Sequence, residues 1–206
     1  MYLCIMSENS PKQGRDLDAA ALKGLAHPLR MAIYDVLTKY GPQTATSLAH
    51  RLGESSGSTS YHLRQLARHR FIREVEGSGN GREKWWERVP GGVELPRPGD
   101  EREPAVSAAA DFVFREWTRS SIHALEDFAA AYSDADRVPT EWAEAVGLTT
   151  ISLRLTPDQL TEVRDRVQET TQTLVEELRG RNDPGSRPVQ IQFHAFPLID
   201  GEETPS

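Results

Sequence analysis

Apolar positions recur with a helical period from the end of a polar leading segment to about residue 68. In "DLDAAALKGLAH", Leu17, Ala21, Leu22 and Leu25 share one face, which predicts a short first helix. Pro28 suits the first turn of a second, where its missing N–H costs nothing. Leu29, Ile33, Val36, Leu37 and Tyr40 form that helix's inner face, and Gly41-Pro42 stops it. "TATSLAHRLG" predicts a third helix, capped by Thr44, lined by Ala45, Leu48, Ala49 and Leu52, and ended by Gly53. Next comes "ESSGSTSYHLRQLARHR", six small residues running into a cationic, half-apolar stretch. On a helical wheel Thr59, Leu63 and Leu66 fall together with His62 at their border. Tyr61 and Arg68 lie opposite, flanked by Ser60, Arg64 and Gln65. The period then switches to two: "FIREVEG" and "REKWWERV" read as strands around a Gly-rich turn. Trp85 and Trp86 fall on opposite faces of the second strand, one for the core and one for the linker, a partner or an effector domain.

Past residue 90 the pattern changes again. "PGGVELPRPGDEREP" holds four prolines and three glycines and reads as a linker over 91–104. Val106, Ala110, Val113, Trp117, Leu125, Phe128 and Tyr132 then keep a helical period, interrupted at Ser120-Ser121. A helix of that length spans about 42 Å, more than a small domain covers alone, which points to a partner subunit. "TTISLRL" (149–155) and "PVQIQFHAF" (188–196) alternate as strands on either side of an amphipathic helix over 157–178, a βαβ-like module. The expected fold is mainly α with small β. A winged helix-turn-helix occupies 17–90, and a dimerisation and possible effector domain 105–198, with tails at 1–16 and 199–206.

Charge sharpens this division. The chain carries −7 overall, but residues 12–90 hold 13 Lys+Arg against 8 Asp+Glu, and residues 91–206 hold 11 against 22. A basic front half on an acidic chain expects an anionic partner at one end only. No apolar run approaches the roughly 20 residues of a membrane span, so no membrane partner and a cytoplasmic location are expected.

The 56–68 stretch carries the chemistry. The DNA major groove is about 12 Å wide, so an entering helix must lead with small residues. Arg pairs bidentately with guanine and Gln with adenine, while hydroxyl groups reach bases or phosphates. Ser56, Ser58, Thr59, Ser60, Tyr61, Arg64, Gln65 and Arg68 are the candidate DNA contacts. On the wing, residues 77–84, Arg82 and Lys84 are candidates for the flanking backbone.

"ALKGLAHPLRMAIYDVL", "TATSLAHRLG", "STSYHLRQLARHRFIREV" and "GREKWWERV" together resemble the ArsR-type winged helix-turn-helix transcription regulators. The Ser-x-His-Leu of the recognition helix stands here as Ser60-Tyr61-His62-Leu63. The likeness covers about residues 17–90, and it implies a homodimeric DNA-binding regulator, most often a repressor released by a signal.

The sequence departs from the metal-sensing patterns of that family. Cys4 is the sole cysteine, and the long helix offers only His123 and Glu126, so no metal, cofactor or catalytic set is expected. His62 is expected to be a buried hydrogen-bonding residue, and His50 and His69 to be exposed. Phe112, Trp117, Phe128 and Trp142 are either dimer core or the lining of an apolar effector pocket. Two other readings stay open: a small-molecule-responsive sensor whose C-terminal module binds an apolar ligand, and a protein-interaction module that reuses the winged helix.

Overall fold

The computed structural model describes residues 3–4, 14–75, 83–95, 103–178, 180–181 and 183–202. It divides into two units, Met1–Ala131 and Tyr132–Ser206.

The first unit opens with two short strands, β1 (Leu3–Cys4) and β2 (Gly14–Asp16). Asp18 caps α1 (Ala19–Leu25), its Oδ1 accepting the Ala21 N–H at 2.6 Å. Helix α2 (Pro28–Tyr40) starts on its proline, as the sequence predicts, and ends at Gly41, whose φ of 73° favours glycine. Strand β3 (Gln43–Thr44) leads into α3 (Ala45–Leu52), and Gly53 closes that helix in the left-handed region. Helix α4 (Ser56–Arg68) follows a three-residue turn. The hairpin strands are β4 (Ile72–Glu74) and β5 (Trp85–Arg88), and β6 (Gly92–Glu94) precedes α5 (Pro104–Ala131).

One apolar core fixes this unit. Leu22 and Leu25 of α1, Ile33 and Leu37 of α2, Leu48 of α3, Leu63 and Leu66 of α4 and Ile72 of β4 pack together, joined by Val93, Leu95 and Val113. Each fully buried leucine contributes on the order of 2 kcal/mol relative to an exposed one. Trp86, Phe112 and Trp117 are half-buried against the same cluster. Helix α5 packs on α1 and α2 through Val106, Ala109, Ala110 and Val113. The serine break expected in α5 has a use here: Ser120 Oγ donates to Asp35 Oδ2 at 3.0 Å, and Lys39 Nζ donates to both.

Four expectations need correction. Tyr40 is not inner-face: it is 47% exposed, with the Arg51 guanidinium 4.1 Å from its ring centre. The leading tail and the linker both contribute structure, because β1 and β2 pair in parallel with either side of β6. Val93 and Leu95, inside the supposed linker, are buried. The hairpin sheet has a third strand, with β3 pairing antiparallel to β5.

The second unit holds α6 (Thr140–Ala145), which the sequence did not announce, and α7 (Pro157–Leu178), which it did. Residues 149–155 and 188–196, expected as strands, join no ladder among the described residues. A strand is stabilised by its neighbour rather than by its own alternation, and neither segment has one among them. Among the described residues of this unit no side chain is buried.

Candidate nucleic-acid interface

Helix α4 presents a cationic face because its other face is committed to the core. Ser55 caps it, its Oγ accepting the Ser58 N–H at 3.1 Å. Thr59, Leu63 and Leu66 are fully buried and His62 is buried beside them. This pins the rotation of the helix, so Tyr61, Arg64 and Arg68 are exposed on the opposite side, with Ser60 and Gln65 half-buried at its margins. Neither Arg64 nor Arg68 forms an ion pair or hydrogen bond with a described residue. Ser56 and Gly57 are exposed at the leading turn, and a methyl group at Gly57 would meet open space. The small residues therefore make a slim end rather than a packed one.

Thr59 is a correction. Its hydroxyl donates to the Ser55 carbonyl at 3.0 Å inside the core, so it braces the first turn and does not face outward.

Helix α3 fixes where α4 stands. Thr44 and Ser47 form a reciprocal cap, Thr44 Oγ1 accepting the Ser47 N–H at 3.1 Å and Ser47 Oγ accepting the Thr44 N–H at 3.0 Å. The turn between the helices is set by Gly53, with φ 67° and ψ 29°. Two helices joined by a tight glycine turn, with an outward cationic face on the second, have the geometry of a helix-turn-helix.

Residues 25–75 match the family model of a helix-turn-helix domain.

No curated protein matches the chain. The matched segment runs from the end of α1 to the residue after β4, so it contains both helices just described. The helix-turn-helix domain supports a DNA-binding regulator. The narrower likeness to one class of regulators is not part of that match.

The domain holds a cluster that sequence reasoning did not assemble. The His27 and His62 rings lie 4.4 Å apart, and Tyr61 meets His62 edge to face at 5.1 Å. His27 Nδ1 accepts the Leu29 N–H at 3.2 Å, which leaves the proton of the neutral ring on Nε2. Burial holds both imidazoles below their ordinary pKa, Arg30 presses in the same direction, and Glu54 opposes it. Burial also lowers the Arg30 guanidinium, which donates from Nη2 to the Lys23 carbonyl at 3.3 Å. His62 was expected to hydrogen-bond, yet its buried Nδ1 has no partner. The ring instead meets His27 at a tilt of 39° and Tyr61 edge to face. The only advance signal was the helix-starting "HPLR" together with His62 at the wheel's border, and 35 positions separate the two histidines.

The hairpin bears cations in pairs. Lys84 Nζ lies 2.7 Å from Glu74 Oε2 and Arg73 2.7 Å from Glu87 Oε1, both across the strands. Thr46 Oγ1 donates to Glu83 Oε1 at 3.0 Å, tying the stretch just before β5 to α3. Lys84 is thus engaged, but an exposed pair of this kind is worth only about 0–1 kcal/mol, so a phosphate can replace the carboxylate at little cost. Arg82 and the glycine-rich tip, residues 76–82, lie outside the described residues.

The remaining candidates separate. Phe112 and Trp117 serve the core of the first unit. Trp142 belongs to the second, where the Arg187 guanidinium sits 5.5 Å from its ring. His123 is exposed beside Glu126 and Asp127 at 3.8 and 3.6 Å, and no group of three metal-ligating side chains occurs among the described residues. His69 is half-buried rather than exposed, its ring against Gly24 of α1, where an added methyl would come within 2.7 Å of Cγ. Among the described residues no helix is long and apolar enough to cross a membrane.

Proposed function

We propose that this protein is a homodimeric, sequence-specific transcription regulator acting as a repressor. Each subunit lays α4 in a major groove. The observation that carries this is the outward set Tyr61, Arg64 and Arg68, with Gln65 half-buried at its margin, on a helix whose rotation the buried Thr59, Leu63 and Leu66 dictate. Arg64 and Gln65 read base edges, and Ser56, Ser58, Ser60, Tyr61 and Arg68 hold phosphates and register. Lys84 exchanges Glu74 for the flanking backbone, with Arg82 beside it in sequence. The dimer is supported by α5, where Phe114, Ile122 and Leu125 are exposed apolar residues. Two half-sites then stand about one helical turn, roughly 34 Å, apart. The repressor assignment rests on the family likeness of residues 17–90, and an effector that releases DNA belongs with it.

The test is selection of bound duplexes from a random pool, followed by anisotropy titrations on the enriched sequence. A palindrome should emerge, and its affinity should fall with salt as counterions are released. Arg64→Ala should cost about 1–3 kcal/mol and relax preference at one base pair; Lys84→Ala should weaken all sequences alike and by less. Binding without salt dependence, or a pool without enrichment, would overturn the reading.

A further inference from the structure

Within the second unit, the described residues leave its large apolar side chains exposed. Of the twenty exposed large hydrophobic side chains among the described residues, fifteen lie from Tyr132 onward. They are ordered. Ile151, Leu153 and Leu155 are 73%, 69% and 40% exposed along one segment, and Val189, Ile191 and Phe193 are 69%, 71% and 45% exposed along the other. Helix α7 adds Val163, Leu174 and Leu178.

The two segments lack the guards of a free sheet edge. Residues 149–155 carry one charge, Arg154, and residues 188–196 carry no Lys, Arg, Asp or Glu, although exposed edges are ordinarily blunted by charge. Around them the unit is acidic, with 7 Lys+Arg against 14 Asp+Glu over 132–206, which disfavours a nucleic acid as the occupant. One copy brings two strand-length segments and one amphipathic helix, too little for an independent sheet. Two copies bring four segments and two helices, which suffice for a two-layer module. A two-fold contact also gives every open edge a counterpart of its own kind.

We infer that residues 149–155 and 188–196 of two copies of this chain pair edge to edge, in one intermolecular sheet covered by both α7 helices. This deepens the dimer of the function proposed above and asks nothing of its DNA. Because two acidic modules meet, raising salt should tighten the dimer, opposite to its effect on DNA binding.

The experiment is amide hydrogen exchange on the full chain across a dilution series, with sedimentation in parallel and no DNA present. Amides of 149–155 and 188–196 should be protected in the dimer and lose that protection on dilution, while α1–α4 stay protected. Ile151→Glu with Ile191→Glu should weaken the dimer by about a hundredfold or more, since a charge would enter an apolar contact. Protection that survives dilution into a monomer would show the chain closing on itself and overturn the inference. So would a dimer whose two segments exchange freely, since α5 alone would then hold it. Exchange in the unmutated protein decides between these even if the variant fails to fold. A protein that passes here but enriches no palindrome would lose its DNA reading and keep its sheet.

Discussion

The two units use similar amphipathic elements to opposite ends. In the first, the apolar face of every helix from α1 to α4 finds a partner within the chain, and Leu22, Leu48, Leu63 and Leu66 have no measurable exposure. In the second, a 22-residue helix with an amphipathic stripe has no buried residue. Amphipathic pattern therefore specifies which face will be covered and leaves open what covers it. A filled core makes the first unit able to hold a reading head in one orientation. The second unit has no such core among its described residues.

The largest effect separates them directly. Leu63→Ala empties a site inside the filled core and should cost about 2–5 kcal/mol in thermal or denaturant unfolding, at any protein concentration. Leu153→Ala, at a position 69% exposed, should cost little in dilute protein and more as concentration rises. Equal, concentration-independent losses would erase the distinction between the units.

A second, smaller test concerns how α4 is seated. His69, at its C-terminal cap, lies over Gly24 of α1 with no room for a β-carbon. Gly24→Ala should lose about 1–3 kcal/mol to overpacking and regain about 1 from helix propensity, a net loss of up to about 2. Adding His69→Ala should recover most of that loss. Additive effects in this double-mutant cycle would mean that the ring does not seat the helix.

These contrasts also explain what was legible in the sequence. Helices α1 to α4 could be read from their local period, and α3 with both its ends, because Thr44 and Gly53 act within a few residues of themselves. The face of α4 was readable for the same reason, apart from Thr59, whose hydroxyl suits groove and core equally. The β1–β6–β2 sheet was not readable, since parallel pairing of Leu3 with Val93 depends on contacts some ninety positions apart. The His27–His62–Arg30 cluster was hidden likewise. At 149–155 and 188–196 the alternation was plain, but a ladder needs a neighbouring edge, and neither segment pairs with one among the described residues.

The smallest effect should be confined to the first unit. His27 and His62 both have pKa values lowered from 6.5, chiefly by burial, with Arg30 adding to the effect and Glu54 working against it. Above about pH 7.5 both are neutral folded or unfolded, and neither makes stability depend on pH. As pH falls through 6.5 the unfolded chain takes up protons that the folded one refuses, so stability drops until the folded pKa values are passed. Tm of the first unit should therefore decline with acidification, and His62→Gln should flatten that decline, whatever it does to Tm at pH 8. The variant removes one titrating ring and relieves the other of a like-charged neighbour 4.4 Å away. Dimerisation through the second unit should keep its pH profile in the same variant. A profile unchanged in the first unit would mean that the acid sensitivity belongs to carboxylates elsewhere, and that the stacked pair serves only to pack α4 against α2.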